Sequence, residues 1–143
     1  MGKAKIALLA LLGACARQQI PEARALVGGG TEMEISRVIE QALAADGRSE
    51  AAESLYAPSA VVIAEGRVRR GPPRFAGVGA EGEVAITNTQ IEIRGTAAWG
   101  NVEYRWVSDR SNLAQVGRAS FVVTPAQGHS GWWIVQAHSS VAR

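Results

Sequence analysis

Gly131–Trp132–Trp133–Ile134–Val135–Gln136–Ala137–His138–Ser139–Ser140 lies near the end of the chain and decides how it folds. Two adjacent tryptophans lead a run of β-favouring residues, and the run turns polar while still alternating. In a regular strand, successive side chains point to opposite faces. One face then carries Trp132, Ile134, Gln136, His138 and Ser140, the other Trp133, Val135, Ala137, Ser139 and Val141. Both faces begin with a large aromatic that gains by burial. The segment therefore reads as an interior strand of a sheet, covered on both sides.

The segments before it repeat the strand pattern. Val84–Arg94 sets Thr89, Ile91 and Ile93 against Gln90, Glu92 and Arg94, and Ala97–Val107 sets Val102, Tyr104 and Trp106 against Glu103 and Arg105. Ala114–Thr124 completes the set. The joints Gly95–Thr96, Ser108–Asn112 and Pro125–Gly131 have hairpin length and composition. Further upstream, Gly71–Gly82 is rich in glycine and proline and reads as a loop with one helical turn around Phe75. Ala60–Ala64 is a compact β-branched run that pairs with Arg67–Arg70 across a turn at Gly66. The three arginines of that second run suit an edge strand better than a nucleic-acid patch.

Helices come first in the chain. Thr31–Glu32–Met33–Glu34 fits the capping box, in which the threonine hydroxyl and the glutamate carboxylate bond each other's backbone amides. Ile35, Val38, Ile39, Ala42 and Leu43 recur at helical spacing. Asp46–Gly47 ends that helix, Ser49 caps a second one through Glu50–Tyr56, and Pro58 stops it. Two helices followed by antiparallel strands make an α+β fold, with the helices' apolar stripe packed on one face of the sheet.

At 143 residues, 47% apolar and 20% charged, the chain is one globular domain's worth of sequence. Met1–Lys5 is a short basic region, Ile6–Leu12 an apolar run too short to span a bilayer, and Leu12–Gly13–Ala14–Cys15 supplies small residues before a cleavage point. Residues 1–14 thus read as a signal peptide. A lone cysteine in an exported chain cannot form an internal disulfide. Leu12–Cys15 resembles the lipobox of bacterial lipoproteins, which implies lipidation at Cys15 and a cell-envelope address, on the periplasmic face in a Gram-negative cell. The plainer alternative is a secretory signal with an incidental cysteine. Residues 15–30, with Pro21 and Gly28–Gly30, read as a flexible tether. Removing Lys3 and Lys5 from the 15 basic residues leaves arginines alone, equal in number to the 13 acidic residues, so the formal charge of +2 is no argument for nucleic acid.

The helix–helix–strand order, the Leu55–Tyr56–Ala57–Pro58 junction and the ending Trp132–x–Ile134–Val135 with His138 and its serines resemble the nuclear transport factor 2-like superfamily. The SnoaL-like branch is the nearest match. The likeness covers residues 31–143 and implies a curved antiparallel sheet wrapped around the N-terminal helices. That is a cone, the cystatin-like roll, with a pocket at the open end. It also implies homodimerisation through the outer face of the sheet. Ser59 stands where many relatives carry aspartate, Gln136 where many carry a second histidine, and the third helix is reduced to the Pro72–Gly82 loop.

Within such a cone, Tyr56, Trp106, Trp132, Gln136 and His138 are the ligand-pocket candidates. His138 is the best candidate acid/base, since its pKa moves readily across neutrality. A histidine bonded to a neighbouring strand or lying at the rim is the simpler alternative, because an activated histidine needs an orienting partner. His129 falls in a turn. Two histidines and one cysteine are too few ligands for a zinc or iron site, and no phosphate loop or nucleophile elbow is present, so no metal or cofactor is expected. The isomerases of this superfamily use a tyrosine donor, and Met33–Ala45 contains none. Three functions follow as expectations. The first is an envelope-anchored domain binding a small, largely apolar ligand. The second is a SnoaL-like isomerase or cyclase acting through His138, and the third is a structural or interaction lipoprotein.

Overall fold

The computed structural model describes residues 29–128 and 130–143. The expected signal peptide, Cys15, the tether up to Gly28 and His129 lie outside the described residues.

Helix α1 spans Gly29–Gly47. Ile35, Ile39, Ala42 and Leu43 are buried while Glu32, Met33, Glu34 and Glu40 face solvent, so the expected apolar stripe is the one that packs. The helix starts two residues earlier than the capping box implies, and Thr31 lies within its first turn. Gly29 and Gly30 are accommodated there because first-turn amides have no intrahelical partner to lose.

The second helix is shorter than expected. Only a 3₁₀ turn forms, over Glu53–Leu55, with Ala52 before it and no side-chain cap. Ser49 sits in a left-handed turn at φ 54° and its hydroxyl donates to Ala80 O at 3.1 Å. That hydroxyl is thereby committed to a loop and cannot cap a helix.

Six strands follow: β1 Tyr56–Ala64, β2 Arg67–Arg69, β3 Gly82–Arg94, β4 Ala97–Ser108, β5 Ala114–Pro125 and β6 Trp132–Val141. They form one sheet in the order β2-β1-β6-β5-β4-β3. β3 through β6 make an antiparallel meander, and β2 hairpins onto β1 at the edge, as its arginines suggest. The sheet is mixed rather than purely antiparallel, because β6 returns beside β1 and runs parallel to it. β1 also begins at Tyr56, four residues before the β-branched run. The fold class is α+β: one helix against a curved, unclosed sheet.

The core lies between α1 and the sheet. Ile35, Ile39 and Leu43 meet Val102, Tyr104, Trp106, Phe121, Val123 and Ile134. Gly100 is small for a steric reason: a Cβ there would come 2.5 Å from Ile39 Cδ1. That contact also identifies which face of the sheet the helix covers.

Candidate functional site

β6 does not alternate along its whole length. It pairs with β5 as Val123↔Ile134 and then Val122↔Gln136, so Val135 has no opposite residue. On its other side, Tyr56↔Ile134 is followed by Val61↔Gln136, which sets Ala57–Ala60 against that same Val135. An extra residue shifts the strand's phase by one and exchanges its faces. Ala137 pairs with Phe121, which pairs with Gly100 under the helix, so Ala137 and Ser139 continue the buried face begun by Trp132 and Ile134. Gln136, His138 and Ser140 turn to the opposite, exposed face. The expectation that they share a face with Trp132 is corrected by this bulge.

The five pocket candidates are accordingly dispersed. Trp106 is buried in the core against Gly79 and Gly82, and its indole nitrogen has no hydrogen-bond partner among the described residues. Trp132 is buried beside Val38. Gln136 is exposed. His138 borders a polar depression of about 460 Å³ with Asn101, Ser120 and the Glu103–Arg118 pair. His138 makes no side-chain hydrogen bond among the described residues. Glu103 pairs with Arg118, its cross-strand neighbour, at 2.9 Å, and with both side chains reaching solvent the pair contributes little. Tyr56 alone of the five borders the groove of about 730 Å³ beside β1 and β2.

The concave side, where the fold would hold an interior pocket, is filled by the Gly71–Glu81 loop. Phe75 stacks at 5.4 Å from Phe121, and Val78 is buried beside it. Three side chains fasten the loop. The Asp46 carboxylate accepts the amides of Arg74 and Phe75 at 2.6–2.8 Å. Ser139 Oγ accepts the Ala76 amide at 2.9 Å, and the Tyr104 hydroxyl donates to Ala76 O at 2.5 Å. Burial raises the Asp46 carboxyl above 3.8, with the two amides and Arg74 pulling it back. Burial likewise raises the Tyr104 phenol.

With the interior occupied, a groove of about 730 Å³ opens at the sheet's β1–β2 end. It forms where β1 bows away from β6 over Ala57–Ala60, and Pro58, lacking an amide proton, suits that unpaired stretch. Val61, Val68 and Trp133 give it apolar wall, while Arg69, Arg70 and Arg74 give it charge. The Arg74 guanidinium sits 4.8 Å over the Tyr56 ring, a cation–π contact, and bonds Glu53 Oε1 at 2.7 Å. The Tyr56 hydroxyl is shielded from solvent with no hydrogen-bond partner among the described residues, and burial raises its pKa, so it stays protonated at neutral pH.

Of the groove's residues the sequence singled out only Tyr56. Arg69 and Arg70 were expected as edge-strand residues, which they also are. Arg74 and Glu53 drew no expectation, although an arginine between a diproline and a phenylalanine in a loop is a usable signal. Such a residue is expected either to be solvated or to be fixed for a purpose.

No protein-family model matches the chain, and no curated protein matches it in sequence. Solved structures do. A nuclear transport factor 2-like superfamily protein from Salmonella enterica serovar Typhimurium is 19% identical with a TM-score of 0.61, over 80% of this chain and 92% of that one. A protein of unknown function with a cystatin-like fold from Nostoc punctiforme is 13% identical with a TM-score of 0.62, over 81% and 94%. The CaMKII hub of S. rosetta is 15% identical with a TM-score of 0.62, over 82% and 100%. At these identities the likeness concerns the fold alone, and the chain has the nuclear transport factor 2-like, cystatin-like fold.

Proposed function

We propose that the chain is a small-molecule-binding domain of the bacterial cell envelope, exported by its N-terminal signal and anchored through Cys15. The observation that carries the binding function is the β1–β2 groove, where a fixed and largely desolvated guanidinium, that of Arg74, lies over the Tyr56 ring beside an apolar wall. The apolar wall of Val61, Val68 and Trp133 suits the largely apolar ligand expected from the sequence. A SnoaL-like reaction at His138 has no hydrogen-bonded carboxylate or tyrosine to support it among the described residues. The exposed face of the sheet carries Trp99, Val107 and Val116 away from the groove, and those apolar side chains support a homodimer formed through it.

The test is mass spectrometry of small molecules released on denaturing the purified full chain. A discrete species is expected from the wild type and not from Tyr56→Ala or Trp133→Ala. Equal recovery from all three would move binding away from the groove.

A further inference from the structure

We propose that the groove takes an oxyanion, carboxylate or phosphate, carried on an apolar body, and that Glu53 holds the oxyanion's place in the unliganded chain. The proposal rests on the small-molecule function above and names the ligand's chemistry.

Arg74 is where it starts. Its backbone amide is clamped by both Asp46 oxygens, its side chain is only 8% exposed, and its guanidinium is stacked on Tyr56. A guanidinium removed from water requires an anionic partner. The partner it has is Glu53, on the 3₁₀ turn, with a side chain 67% exposed. One nitrogen meets one oxygen in that pair, at 2.7 Å, whereas a guanidinium can present two parallel donors to a carboxylate or phosphate. So a fixed, desolvated cation is matched with an exposed, solvated anion through a single contact. An incoming oxyanion that engages both donors can displace it.

The neighbours point the same way. Arg69 and Arg70 line the groove with no ion pair among the described residues, so three arginines face it against one glutamate. Tyr56 adds the ring on which the Arg74 guanidinium rests, which keeps that cation facing the groove. The hydrogen bond from Arg74 holds the Glu53 carboxyl below its ordinary value, as expected of an anion kept in place at neutral pH. Beyond the charges, Val61 and Val68 remain exposed although both lie on the groove wall, which leaves an apolar surface for the body of the ligand.

Calorimetric titration of the full chain with octanoate, octyl phosphate and uncharged methyl octanoate tests this. At least one anion should bind about tenfold more tightly than the ester, the scale of a second charge-assisted hydrogen bond. Which anion binds more tightly distinguishes a carboxylate ligand from a phosphate one. Glu53→Gln should strengthen anion binding several-fold and leave the ester unchanged, because it removes a competitor. Arg74→Met should abolish the preference for the anion. If that variant does not fold, the exposed Glu53 substitution still decides. Equal affinity for anions and ester overturns the oxyanion while leaving a small-molecule groove in place. Glu53→Gln with unchanged or weakened anion binding overturns the competition. No binding of any of the three overturns the oxyanion proposal and removes support from the groove as well.

Discussion

The Asp46 carboxylate accepts the Arg74 amide with both of its oxygens, at 2.6 and 2.7 Å. Asp46 lies one residue from the end of α1, where the helix dipole disfavours a negative charge. Its presence there makes sense only through the loop. The residue serves the backbone of Arg74 and Phe75, and so fixes the groove's guanidinium from behind.

Asp46→Asn should destabilise the fold by about 2–4 kcal/mol, because an amide offers one acceptor oxygen where three bonds are now accepted. The pH dependence has a definite sign. Burial raises the folded Asp46 carboxyl above 3.8, so the folded chain holds the proton more tightly than the unfolded one. Its contribution to stability therefore falls as pH rises through the folded value and grows as pH drops toward 3.8. Denaturant titrations should show the wild type's margin over Asp46→Asn widening on acidification, and a narrowing margin would reverse the assignment.

Ser139 and His138 are neighbours with opposite fates, and substituting each tests the bulge. Ser139→Ala should cost about 1–3 kcal/mol, since it leaves the buried Ala76 amide without its acceptor. His138→Ala should stay within about 0.5 kcal/mol, as for an exposed position. Thermal melts of the two variants are sufficient, and the reverse ranking would restore regular alternation in β6.

Gly117 and Tyr104 pack face to face across β4 and β5. A Cβ at Gly117 would stand 2.3 Å from Tyr104 Cζ, and Tyr104 is fully buried and hydrogen-bonded to the loop. Gly117→Ala should lose about 1–3 kcal/mol through overpacking. Adding Tyr104→Phe should not add its full separate effect, because the two side chains share one space. A double-mutant cycle measures the coupling.

Trp99 is 42% exposed on the outer face of the sheet proposed to dimerise. Light scattering should report a dimer for the wild type, and Trp99→Glu should weaken association at least about tenfold, the effect of charging an aromatic anchor. Monomer at all concentrations for the wild type would leave this face without a partner.

Cys15→Ser should release the protein from membranes into the soluble fraction of the envelope. Fractionation of cells producing the two forms checks it, and unchanged membrane association of the variant would exclude the lipid anchor.

The strands were legible because their signals are local. Val102, Tyr104 and Trp106 announce the buried face of β4, and Gly95–Thr96 its hairpin, without reference to anything distant. The parallel pairing of β1 with β6 was not legible, since nothing within Val61–Ala64 records which strand returns beside it. The bulge was hidden for a chemical reason. From Gln136 to Ser140 every residue is small or polar, so neither face is forbidden by the pattern, and only the pairing of Val122 and Val123 decides. The groove was hidden because its components are far apart in sequence. Glu53, Arg69 and Arg74 meet only once Asp46 has positioned the loop.

Val135 also sets a rule for changes in length. Deleting that one residue would set Gln136 next to Ile134 in regular alternation, with Ala137 and Ser139 still inside, Gln136 and His138 still outside and the loop's Ala76 amide still bonded. Removing a second residue would then exchange the faces of the whole tail. A one-residue loss that would overturn an ordinary strand is therefore absorbed at Val135, because the extra residue there has no place in the ladder to give up.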